Sequence, residues 1–95
     1  MKTEFTKGEW SIADDFSHFE TTIMCGDTRI AEVKHFTDFE NDPSINEGRA
    51  NAKLIAAAPD LLLACNELLE LLKFHGYTRS TEIYQAQEAI KKATE

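Results

Sequence analysis

The chain has 95 residues, 42% of them hydrophobic and 28% charged, with a formal net charge of −7. That length and balance describe one small globular domain rather than a disordered segment. They also exclude a broad basic face for duplex nucleic acid, because neutralising phosphates takes clustered Lys and Arg, of which there are only 10.

The charge is unevenly distributed. Residues 1–48 hold four Lys/Arg against 11 Asp/Glu, whereas residues 49–95 hold six of each. No apolar run approaches the ~20 residues needed to cross a bilayer, and no basic stretch precedes an apolar core at the N-terminus. The expectation is a cytoplasmic protein with no membrane association. A chain this short recovers burial by associating with copies of itself, so a homo-oligomer is expected.

In chain order, Gly8–Ile12 is a short strand candidate, followed by the turn residues Ala13-Asp14-Asp15. Ser17–Cys25 alternates, with Phe19, Thr21 and Ile23 on one face and His18, Glu20, Thr22 and Met24 on the other. Gly26-Asp27 signals a hairpin, and Thr28–Phe36 resumes the alternation. There Ile30, Glu32 and Lys34 share one face, while Arg29, Ala31, Val33 and His35 share the other. These segments predict an antiparallel meander of about three strands within residues 1–37.

Helices are expected over 44–95. Ser44 with Glu47 three residues on reads as a capping box, though Gly48 weakens the first turn and moves the expected start toward Arg49. Ala52, Ile55 and Ala56 fall on one face of this short helix. Pro59 then forbids its continuation and suits the start of a new one, with Asp60 favourable at its N-terminus.

The second helix carries Leu61, Leu62, Cys65, Leu68, Leu69 and Leu72 as a wide apolar stripe ending near Gly76, a natural C′ residue. Ser80 or Thr78 starts a third, with Ile83, Ala86, Ala89, Ile90 and Ala93 along one side. The small alanines are expected to bring it close to the second. The fold class is therefore α+β: a meander, a short helix and a C-terminal antiparallel helical hairpin in a single domain, 1–95.

Chemistry-bearing motifs are sparse. Cys25 and Cys65 lack metal-ligand spacing and read as small buried hydrophobes. His18 and His35 sit near Asp14, Asp15, Asp38 and Glu40, but no spacing fixes a metal or acid–base pair. There is no phosphate loop and no nucleophile elbow. No catalytic residue, metal or cofactor is assigned, and the expectation is a protein that is not an enzyme.

Arg29 and Lys34 on a strand, Arg49 and Lys53 one turn apart on the first helix, and Arg79 before the third either meet an anion or stand as solvated surface charges, the commoner case. Trp10, like Phe16, Phe19, Phe36, Phe39, Phe74 and Tyr77, reads mostly as a core or cover residue. An exposed ring beside Arg49 could stack on a base, and Trp10 is taken as the candidate. Asn51, between two alanines, either caps a loop or offers its amide to a ligand or partner.

Trp10, Gly26, Ile30-Ala31 and above all Ala50-Asn51-Ala52-Lys53-Leu54-Ile55-Ala56-Ala57-Ala58-Pro59-Asp60-Leu61-Leu62 resemble a widespread type of small phage and prophage protein. The resemblance covers about residues 8–72. That type is distantly similar to the phage anti-Thoeris sponges, which sequester cyclic ADP-ribose isomers, and in some cases cyclic oligonucleotides, without cleaving them.

The resemblance implies a sheet-then-helices fold and a small nucleotide ligand held between subunits of an oligomer, in an infected or lysogenic bacterium. Asn51-Ala52 would form part of the pocket. Arg49, Arg29 and Arg79 are of the right chemical type to supply its cation. The alternative is an acidic protein-interaction module that inhibits or adapts a host protein.

Overall fold

Among the described residues three strands come before the helices: β1 (Trp10–Ala13), β2 (Glu20–Cys25) and β3 (Thr28–Lys34). The computed structural model of the protein describes residues 3–13, 20–34, 43–77 and 79–95. The sheet order is β1-β2-β3, antiparallel throughout, with β2 central. Gly26-Asp27 makes the two-residue turn between Cys25 and Thr28, and Gly26 takes φ +57°, the left-handed region such turns require.

The register departs from simple alternation at one point. Ile23 pairs with Ala31 but Met24 pairs with Arg29, which leaves Ile30 as an extra residue in β3. An added residue flips every later side chain to the opposite face. Arg29 therefore shares a face with Glu32 and Lys34, not with Ala31 and Val33 as strict alternation predicts. Trp10, Ile12, Thr21, Ile23, Cys25, Ala31 and Val33 lie on the other face.

Helix α1 (Pro43–Ala56) lies against all three strands, most extensively β2. It begins at Pro43, so Ser44 and Gly48 both lie within the helix rather than ahead of it. Among the described side chains of α1, Ile45, Gly48 and Ala52 are buried, at i, i+3 and i+7. Ile55 was expected on that face and is instead exposed. The small size of Gly48 and Ala52 lets the helix axis come close to the sheet, where Ile23 is fully buried.

The chain divides into two compact units, and α1 belongs with the strands. One unit is Thr6–Ala58; the other is Pro59–Glu95 with Met1–Phe5. The division falls beside Pro59, whose missing N–H ends the first helical ladder: Ala57 N–H still donates to Lys53 O at 3.0 Å.

The second unit contains α2 (Ala58–Phe74, beginning one residue before Pro59) and α3 (Thr81–Thr94) as a helical hairpin. Both ends of the connection follow from local chemistry. Gly76, at φ +85°, donates to Lys73 O at 3.0 Å, and Tyr77 N–H donates to Leu72 O at 2.9 Å, a Schellman closure of α2. Ser80 is the N-cap of α3, its Oγ accepting from Ile83 N–H at 3.1 Å.

The hairpin core is small: Leu69, Ile83 and Ile90, with Leu62 and Ala86 packed against them. Leu61, Leu68 and Leu72 are exposed, as are Cys65, Ala89 and Ala93. Cys65 is thus not the buried hydrophobe expected, and the outer alanines do not line the contact with α2. A two-helix hairpin covers one stripe of each helix, and α2 carries apolar residues over about twice the ~100° that one neighbour shields.

Candidate functional site

Four of the five residues expected at a ligand site belong to the Thr6–Ala58 unit, and the fifth, Arg79, belongs to the hairpin unit. Arg29 projects from β3 on the face that the extra Ile30 assigns to it. Its guanidinium lies 2.7 Å from Glu32 Oε1, although the side chain is 67% exposed. Lys34 continues the row, 3.1 Å from Glu32 Oε2 and 2.5 Å from Glu20 Oε2.

This alternation of charge sets the protonation behaviour of its members. The Lys34 hydrogen bond, reinforced by the charges of Lys34 and Arg29, holds the Glu32 carboxyl below its ordinary value. The hydrogen bond to Glu20, then that to Glu32, raises Lys34 above its own. Arg29 is therefore a member of a carboxylate-bearing row, and its charge is already matched.

Arg49 and Asn51 are both exposed on α1. Two residues apart on a helix means about 200° around the axis, so they occupy opposite flanks of the buried Ile45–Gly48–Ala52 stripe. They do not address one ligand within one chain. Lys53, also exposed, stands one turn from Arg49 and forms the cationic pair with it. Asn51 is exposed to solvent, its amide without a hydrogen-bond partner among the described residues.

Trp10 is half-buried, and its indole Nε1–H donates to Thr6 O at 3.0 Å. That bond folds the segment before β1 back on the strand, beside Cys25, whose Sγ–H donates to Lys7 O at 3.3 Å. Arg79 is exposed and immediately precedes the Ser80 cap.

The candidate acid–base histidines, His18 and His35, and the neighbouring Asp14, Asp15, Asp38 and Glu40, lie outside the described residues. Among the described residues no three His, Cys, Asp or Glu side chains are grouped to hold a metal ion. His75 packs edge-on against Phe74, with ring centroids 5.3 Å apart. No helix among the described residues is long and apolar enough to cross a membrane.

Sequence reasoning did not single out the groove on the helical hairpin. It has a volume of about 270 Å³ and runs between α2 and α3, lined by Cys65, Leu68, Leu72, Tyr77, Ile83 and Ala86. Its signal was present in the unbroken run Leu61-Leu62-Leu63-Ala64-Cys65, which supplies apolar side chains to more of the helix than one partner covers. Glu82 and Ser80 provide its polar edge.

Among the described residues, a three-stranded meander covered by one helix, followed in the chain by a helical hairpin, defines a small α+β architecture. The family model of Salmonella phage P22 protein Y8K6 matches residues 1–95. The chain belongs to that family and is a small bacteriophage protein. No curated protein and no solved structure matches it.

Proposed function

We propose that this phage protein is a non-enzymatic interaction module whose acidic sheet unit engages a basic surface on a protein of the bacterial host. The observation that carries the reading is the segregation of charge. Residues 6–58 hold ten carboxylates against five Lys/Arg, and one of those arginines is already paired with Glu32. A field of that sign raises the encounter rate with a cationic partner and lowers it for an anionic ligand.

Glu9 and Asp27 are exposed carboxylates of this unit. Reversing both, as Glu9→Lys with Asp27→Lys, should abolish capture of the host partner from lysate. Capture by the unaltered protein should weaken as salt rises. Undiminished capture by the reversed variant would overturn the proposal.

A second reading, sequestration of a cyclic ADP-ribose isomer or cyclic oligonucleotide, is favoured by Arg49 and Lys53, an exposed cationic pair one turn apart. On this reading the pair holds a phosphate, and Asn51, on the opposite flank, reaches that ligand only from a second copy. Calorimetry against a panel of cyclic nucleotides tests it. Heat that disappears in Arg49→Ala, with the ligand recovered intact after denaturation, supports sequestration; no heat from the folded protein refutes it.

A further inference from the structure

We infer that the open groove of the helical hairpin is the seat of a second copy of this chain, entered by that copy's α2 in antiparallel orientation. Leu61, Cys65, Leu68 and Leu72 follow one another at spacings of four, three and four. This is the repeat that keeps a seam facing a partner helix along its whole length. Leu68, on this seam, is 61% exposed in the single chain.

The facing wall is complementary in size. Ala86 lines the groove, and Ala89 and Ala93 continue its line along α3 at i+3 and i+7. Large side chains on α2 beside small ones on α3 form a face into which an identical leucine seam interdigitates. Antiparallel two-fold pairing sets Leu61 opposite the second copy's Leu72 and Cys65 opposite its Leu68, so each layer of the seam is filled once from each chain.

Area and charge favour this occupant. At ~150–250 Å² per large side chain, the exposed parts of the seam leucines, Leu71 and Tyr77 amount to roughly 400–650 Å². That is the upper end of what a soluble monomer leaves uncovered. With the alanine wall and the polar rim it approaches the ~800 Å² per partner of a stable complex. The seam positions and those beside them at Ala64, Leu71, Leu62 and Leu69 carry no charge. The net −7 belongs to residues 1–48, so two copies meet through near-neutral surfaces.

Sedimentation equilibrium on the full chain tests the inference, with Leu68→Glu as the variant. A dimer is expected for the unaltered protein. Leu68→Glu should weaken it by roughly two orders of magnitude or more, since two-fold symmetry buries two uncompensated carboxylates. Helical circular dichroism should be retained. A monomer at high micromolar concentration would overturn the inference, as would a dimer indifferent to the substitution. If Leu68→Glu does not fold, alkylation of Cys65 in the unaltered protein decides. Protection that rises with protein concentration supports the groove as the interface, and protection independent of concentration refutes it.

Discussion

Gly8 sits against Cys25: a Cβ built on Gly8 would lie 2.8 Å from the Cys25 Sγ, and Gly8 itself has φ +122°. Two penalties are therefore superposed at one residue, a backbone conformation that L side chains rarely adopt and a steric one. The thiol has little freedom to retreat, because it donates to Lys7 O. Gly8→Ala is expected to cost about 1–3 kcal/mol of unfolding free energy. In a Cys25→Ala background the steric part disappears and the backbone part remains. Chemical denaturation of the four proteins of this cycle should show a smaller cost for Gly8→Ala without the thiol. Equal costs in the two backgrounds would mean that the contact contributes nothing.

Ala52 is fully buried where α1 crosses the sheet, and its neighbour on the same stripe, Gly48, is buried too. Ala52 has no exposed surface through which a longer side chain could extend into solvent. Ala52→Leu should destabilise the protein by about 1–3 kcal/mol through overpacking. Ile45→Ala, at the other end of the stripe, should cost about 2–5 kcal/mol through the cavity it leaves. The same substitution to Leu at Ala50, which is exposed, should be nearly neutral. Thermal melts of the three variants measure the contrast.

The hairpin connection offers a prediction about its two ends. Ser80→Ala removes the acceptor for Ile83 N–H and should cost about 1 kcal/mol. Gly76→Ala forces a Cβ into φ +85° and should cost about 1–2 kcal/mol. Nothing lies within 4 Å of the position that Cβ would take, so the second cost is conformational alone. Gly76→Asn should recover part of it, because Asn tolerates that region better than Ala. If Asn is no better than Ala, the left-handed geometry is not what glycine supplies there.

The parts of this fold legible in the sequence are those written in local chemistry. Gly26-Asp27, Pro59, Gly76 and Ser80 each mark a turn, break or cap by a mechanism confined to a few residues, and all four occur where expected. What eluded the sequence depends on which other element each residue is laid against, or on whether any element covers it. The extra Ile30 is invisible until β3 is laid against β2, and it alone decides which face Arg29 occupies. Gly48 reads as a weak helix residue until the sheet beneath it makes smallness an advantage. Cys65 reads as buried because periodicity reports that a face is apolar, not that something covers it. Of the expected site, Arg49 and Lys53 remain together, whereas Arg49 and Asn51 diverge by helix geometry.

The charged row on the sheet makes stability depend on pH at both extremes, with opposite signs. Glu32 titrates below its ordinary value in the folded protein, chiefly through its hydrogen bond from Lys34. Its contribution is therefore complete above the ordinary carboxylate range and is lost as pH falls through the lowered folded value. Lys34 titrates above its ordinary value, chiefly through Glu20. Its contribution is complete below the ordinary lysine value and is lost as pH rises through the raised one. Between those limits the row contributes a constant amount. Lys34→Met should move the Glu32 titration, followed by carboxyl NMR shifts, back toward the ordinary value. The return should be incomplete, because Arg29 stays 2.7 Å away. Added salt should shrink the shift in the unaltered protein, as it does for exposed pairs. A Glu32 titration unchanged by the loss of Lys34 would show that the row seen on the sheet face does not govern its charge.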